Sequence, residues 1–190
     1  MKKILCILLL LLTGCSSKTS MIEIQKHVYV EKEFKDSWLE TNEFGDSYIK
    51  EELQGGYHYH FDQQFLEIFF NTGGKIELYN YSIKKNDLII SGEMIPPKTI
   101  RLVHPHLDNV TSEGVIIHEL GHYFDEKHQF SSSKQFTELY KKYRKLFNQK
   151  TKKEYFAECF KEYVGGHQEK VKPFHSYMKT ITQKIRQKNK

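Results

Sequence analysis

The order of pattern along this chain predicts an α+β fold, with a small mixed sheet in the first half and a helical second half. Two observations carry that reading. Residues up to about 103 show short period-two stretches broken by turn residues, as strands do. Beyond residue 112 the apolar residues recur every three to four positions, as on amphipathic helices. Strands first and helices after is the signature of segregated α+β packing rather than alternating βαβ units.

Alternation around His27-Val28-Tyr29-Val30 predicts a first strand. Phe61, Phe65, Ile68 and Phe69 fall at helical spacing, and Asn71-Thr72-Gly73-Gly74 supplies the glycine stop. Lys75 to Ile83 alternates, with Ile76, Leu78 and Asn80 on one face and Glu77, Tyr79 and Tyr81 on the other. Lys84-Lys85-Asn86-Asp87 reads as a turn, and Leu88-Ile89-Ile90 returns as a second strand. Pro96-Pro97 breaks the chain before a third short strand, Ile100-Arg101-Leu102-Val103. In the helical half, Ser112 is placed to cap a helix carrying Val115, Ile116, Ile117, Leu120, Tyr123 and Phe124. Ser132 with Gln135 has capping-box spacing before a helix that buries Phe136, Leu139, Tyr140, Tyr143, Leu146 and Phe147. A further helix over Glu154 to Tyr163 stops at Gly165-Gly166. Pro173 then opens a last one striped by Phe174, Tyr177, Met178, Ile181 and Ile185.

With 190 residues the chain fits one domain after its leader. Met1-Lys2-Lys3 is a positive n-region, Ile4 to Leu12 is apolar, and Leu12-Thr13-Gly14-Cys15 resembles the lipobox of bacterial lipoproteins. The division expected is therefore a signal peptide over 1–14, a lipidated Cys15 with a tether over 15–24, and a single domain over 25–190. The resemblance implies a lipid anchor on the extracellular face of the cell membrane. Cys159 is then the one thiol left, so no internal disulfide forms, and beside Glu158 it reads as a small core residue. Loss of Lys2 and Lys3 leaves 27 basic residues against 24 acidic, a net +3. Seven of those bases and no acid lie in 170–190, which reads as a solvated helix face. Nucleic acid is not expected as a partner of an exported chain, and a monomer is expected.

The most informative stretch is His118-Glu119-Leu120-Gly121-His122. Residues four apart share a helix face, so both imidazoles can meet one cation. Glu119 lies close enough to handle a water held by that cation. This pattern points to metal-assisted hydrolysis and needs a third ligand with one position left open. Two candidates present themselves. His128 completes a near-metzincin spacing, although that pattern wants glycine where Asp125 stands, and the one methionine downstream is Met178. Glu154 heads a row of carboxylates at 154, 158 and 162 on a helix with apolar neighbours; Glu158 would then accept a hydrogen bond from a ligand histidine.

His118-Glu-Leu-Gly-His-Tyr-Phe-Asp125 followed by Glu154-Tyr-Phe-Ala-Glu158 resembles the metalloprotease domain of anthrax lethal factor and the related secreted Pro-Pro endopeptidases. The resemblance extends over roughly residues 25–190. It implies a zincin-like fold in which His118, His122 and Glu154 hold one Zn2+ and Glu119 is the general base. The implied activity is endopeptidase cleavage of extracellular peptide or protein substrates. One departure stands out. The family carries a tyrosine seven residues before the third ligand, where this chain has Phe147; Tyr143 stands one helical turn earlier. The alternative implied is a surface lipoprotein that binds zinc without cutting.

Two further histidine pairs stand elsewhere in the chain. His58 and His60 have strand spacing, but amid Tyr57, Tyr59 and Phe61 they read as surface aromatics. His104-Pro105-His106 reads as loop, and Pro96-Pro97 as a plain breaker.

Overall fold

The computed structural model describes residues 20–41, 47–56, 58–85, 88–104, 113–149 and 151–189. The described residues form seven strands: β1 (Met21–Gln25), β2 (Val28–Glu31), β3 (Lys75–Tyr79), β4 (Ile83–Lys85), β5 (Leu88–Ile90), β6 (Gly92–Ile95) and β7 (Thr99–Val103). Seven α-helices accompany them: α1 (Lys35–Leu39), α2 (Tyr48–Gln54), α3 (Gln64–Asn71), α4 (Val115–His128), α5 (Lys134–Tyr143), α6 (Lys152–Val164) and α7 (His175–Gln187). The chain is thus a mixed α/β structure with its sheet in the first half and its longer helices in the second, compatible with the α+β expectation. None of these helices is long and apolar enough to cross a membrane.

Five strands make one mixed sheet in the order β1-β2-β3-β7-β6, and β4 pairs with β5 in a separate hairpin. β2, β3 and β7 run parallel, while the flanking β1 and β6 are antiparallel to their neighbours. The register explains why these residues are strands. Val28, Ile76 and Ile100 line up across the sheet, as do Val30, Leu78 and Leu102, and all six are fully buried. Together they form one continuous apolar face for the helices to cover. On the opposite face Tyr29, Glu77, Arg101 and Glu93 line up, and Arg101 bridges Glu77 at 3.3 Å and Glu93 at 3.4 Å. Tyr79 Oη donates to Glu77 at 2.9 Å, so that face is polar yet satisfied.

The helical layer is welded by aromatic rings. Phe65 of α3 meets Phe124 of α4 and Phe160 of α6, and Phe136 of α5 packs on Phe156, Phe174 and Tyr177. The stripe expected on the last helix is the buried one, and Cys159 is a fully buried core residue.

Several boundaries differ from expectation. The folded body begins inside the expected tether, because Met21–Gln25 is strand β1, held by β2. His27 is the turn between those strands, with φ 67°, rather than part of a strand. Gly114, with φ 73°, stands at the N-cap of α4, and Ser112 lies outside the described residues. α5 is capped by Ser133, whose Oγ accepts from Phe136 N–H at 3.1 Å, while Ser132 belongs to a preceding 3-10 turn. Pro173 sits within a 3-10 stretch, Gln168–Phe174, that precedes α7. His58 and His60 lie outside any strand; His58 is exposed and pairs with Glu113. The His104 ring sits between Trp38 and Tyr48, its Nε2 at 3.2 Å from the Ser37 carbonyl oxygen, so it is a packing residue. The signal segment, Cys15, residues 16–19, Asn86-Asp87 and His106 lie outside the described residues.

Candidate metal centre

The site is built where α4 crosses α6 beneath the edge strand β6. Gly121 makes the crossing close: a Cβ there would lie 2.9 Å from Ala157 Cα and 3.2 Å from its carbonyl oxygen. Only a residue without a side chain lets the two helix backbones approach this far. Thr151 fixes where α6 begins, its side chain accepting from Glu154 N–H at 3.2 Å. Thr151 and Glu154 have capping-box spacing, yet the Glu154 carboxylate turns to the α4 histidines instead.

Three ligand-type atoms converge there. His118 Nε2 and His122 Nε2 are 3.1 Å apart, and Glu154 Oε2 is 3.2 Å from the first and 3.3 Å from the second. Among the described residues, His118, His122 and Glu154 are the one group able to share an ion in this way. Tetrahedral coordination with bonds of about 2.0–2.1 Å puts neighbouring ligand atoms about 3.3 Å apart. The triangle therefore has the size of three corners of such a tetrahedron, and its fourth corner opens towards the cleft. Protonation states agree with this. His118 Nδ1–H donates to Glu158 Oε2 at 3.2 Å, which selects the tautomer whose Nε2 lone pair faces the other two atoms. Three lone pairs aimed at one point repel unless a cation or proton sits between them.

The charges register that tension. Burial pushes the His118 imidazolium down, but hydrogen bonds to Glu154 and Glu158 outweigh it and hold its pKa up at about 9. The same bonds with His118 and His122 keep the Glu154 carboxyl well below the usual carboxylate range. Burial would raise Glu158, but His118 and Lys161 hold it down at about 2. Glu119, buried beside the histidines, is pushed up by loss of solvent and by Glu154, against the pull of both imidazoles and the Met94 backbone N–H.

A cleft of about 530 Å3 opens over these atoms, lined by residues 90–96 on one side and α4 and α6 on the other. β6 is its wall and an edge strand. Val103 N–H donates to Ser91 O at 2.8 Å, so Ser91 and Val103 form a hydrogen-bonded pair. By the antiparallel alternation, Gly92 and Met94 then turn their backbone groups away from β7 towards the open edge. The role of Met94 and of β6 itself was not foreseen, since a four-residue strand opening on glycine carries almost no periodic signal.

The structure does not bring His128 into the site. α4 runs unbroken through Asp125 to His128, so His128 lies about 240° round the helix from His122. The left-handed residue is Gln129, with φ 55°, one position beyond His128. Asp125 has a holding role: it accepts from Ser131 N–H at 2.6 Å and Ser131 Oγ at 2.7 Å, tying the helix end to the following turn. No tyrosine is among the described residues that line the cleft. Phe147 packs on Tyr155 and Tyr143 on Phe174, both partly buried against the aromatic core and away from the cleft. Sequence comparison finds no protein-family model and no curated protein that matches this chain.

Proposed function

We propose that this chain is a zinc-dependent endopeptidase with a zincin-like fold, similar to lethal factor and the Pro-Pro endopeptidases, anchored outside a bacterial cell through Cys15. The observation that carries the reading is the triangle of His118, His122 and Glu154 beside a buried carboxylate, in a cleft walled by an open strand edge. Two imidazoles and one carboxylate form the donor set of a catalytic rather than a structural zinc site. Zinc held there supplies an activated water and polarises the scissile carbonyl. Glu119 takes the proton of the attacking water on a carboxylate oxygen and returns it to the leaving amine nitrogen. Glu158 keeps the His118 lone pair aimed at the ion. An extended peptide adds to the edge of β6, where the Gly92 N–H and C=O and the Met94 C=O are available.

A second reading is favoured by one feature, the absence of a tyrosine hydroxyl among the described residues that line the cleft. Loss of one oxyanion donor costs on the order of a hundredfold or more in turnover. The chain would then hold zinc and bind peptides while cutting slowly or not at all. One experiment separates the readings. Chelator-sensitive cleavage of a peptide library is expected from the unaltered chain, and Glu119→Gln should retain zinc and lose about 100-fold or more of that cleavage. Undiminished cleavage by Glu119→Gln would refute the mechanism, and no chelator-sensitive cleavage by the unaltered chain would favour the binding protein.

A further inference from the structure

Glu158 has two oxygens, and each has a partner among the described residues. Oε2 receives His118 Nδ1–H at 3.2 Å, and Oε1 receives Lys161 Nζ at 2.7 Å. The lysine is one turn along α6, and both side chains are nearly enclosed, at 16% and 15% exposure. A solvated i,i+3 pair on a helix surface would be a weak and mobile contact. This one is walled in. Gly114, at the start of α4, leaves room for the Lys161 stem: a Cβ there would come within 2.9 Å of Lys161 Cδ. The ammonium lies 5.9 Å from the centre of the Tyr59 ring and 3.7 Å from Glu162 Oε1. Glu162 is itself fixed by Tyr59 Oη at 3.1 Å, His167 Nδ1 at 3.0 Å and Lys170 Nζ at 3.0 Å. Charges therefore alternate outward from the metal triangle, through His118, Glu158, Lys161 and Glu162 to Lys170.

We infer that Lys161 is a positioning residue for the metal ligand His118, acting through Glu158. The inference rests on the metal reading above and adds to it a residue that touches neither ion nor substrate. Its physical content is the fate of an enclosed carboxylate that loses its cation. Glu158 without Lys161 is free to turn to solvent, because an unpaired charge is costly in partial burial. His118 Nδ1–H then loses its fixed acceptor, and the ring is freer to rotate away from the ion. Glu162 cannot stand in, since its oxygens are occupied on the far side of the lysine.

The test is zinc affinity, measured by competition with a chromogenic chelator on the full chain. Lys161→Met is expected to weaken binding about tenfold, the scale on which partners of metal ligands act. Lys161→Arg should restore affinity to within about threefold of the unaltered chain, because it returns the charge to the same carboxylate. A merely structural lysine would act independently of Glu158, whereas the pathway predicts that Glu158→Gln with Lys161→Met binds zinc no more weakly than Glu158→Gln alone. Should Lys161→Met not fold, Lys161→Gln serves in the same comparisons. Unchanged affinity in the charge-removed variant, or an equal loss in both backgrounds, would overturn the inference. Absence of zinc binding by the unaltered chain would instead sink the metal reading itself.

Discussion

Gly121→Ala offers the sharpest test of how the site is assembled. The new Cβ would lie 2.9 Å from Ala157 Cα, 3.2 Å from its oxygen and 3.3 Å from its Cβ. Comfortable carbon contacts lie at about 3.5–4.0 Å, so α6 must retreat from α4 by about 0.6–1 Å at the crossing. Glu154 lies one turn from Ala157 on that helix and moves with it. The Glu154 distances of 3.2 and 3.3 Å would then stretch towards about 4 Å, far beyond the roughly 0.2 Å that metal bonds tolerate. Two effects on stability oppose each other. Alanine gains about 1 kcal/mol of helix propensity over glycine, while overpacking costs about 1–3 kcal/mol. A small net loss in the metal-free chain is expected, together with a drop of at least about tenfold in zinc affinity. Chelator competition reads the second quantity and denaturant unfolding the first. A folded Gly121→Ala chain binding zinc as tightly as the unaltered one would refute the claim that helix proximity sets the ligand triangle.

Zinc content should be lost in Glu154→Ala and kept in His128→Ala, because only the former side chain reaches both histidines; the reverse result would move the third ligand to α4. In the metal-free chain, the raised pKa of His118 contributes stability that is full below about 6.5 and is lost as the pH rises through about 9. Glu158, held at about 2, contributes stability present above about 4.5 and lost as the pH falls through about 2. Denaturant unfolding of chelator-treated protein should therefore show a midpoint that declines from pH 6.5 to pH 9.5 and also declines below pH 4.5. Zinc loading should remove the alkaline decline, since the metal takes the place of the His118 proton.

The parts legible in the chain were those carried by local period. The HExxH spacing fixes two imidazoles on one helix face wherever that helix lies, and α4 and α6 cover the residues expected to be helical there. The row of carboxylates at 154 and 158 was also readable, and its two members do different work: one closes the triangle and the other orients His118. Lys161 was not legible as part of the site, since an i,i+3 pair with Glu158 on an exposed helix has almost no energetic weight.

By itself, the sequence determined the pair of helical histidines, the acid that follows the first of them and the helices that carry the later carboxylates. The paired motifs already implied Glu154 as the third ligand, but spacing alone left His128 open, and only the tertiary structure puts Glu154 against the histidines and His128 away from them. That placement depends on the direction a helix takes after Asp125 and on how closely α6 crosses at Gly121. The wall of the cleft was likewise settled in three dimensions. β6 is an edge because of where β7 lies, and the backbone atoms it leaves open are set by the register with that neighbour rather than by its own four residues.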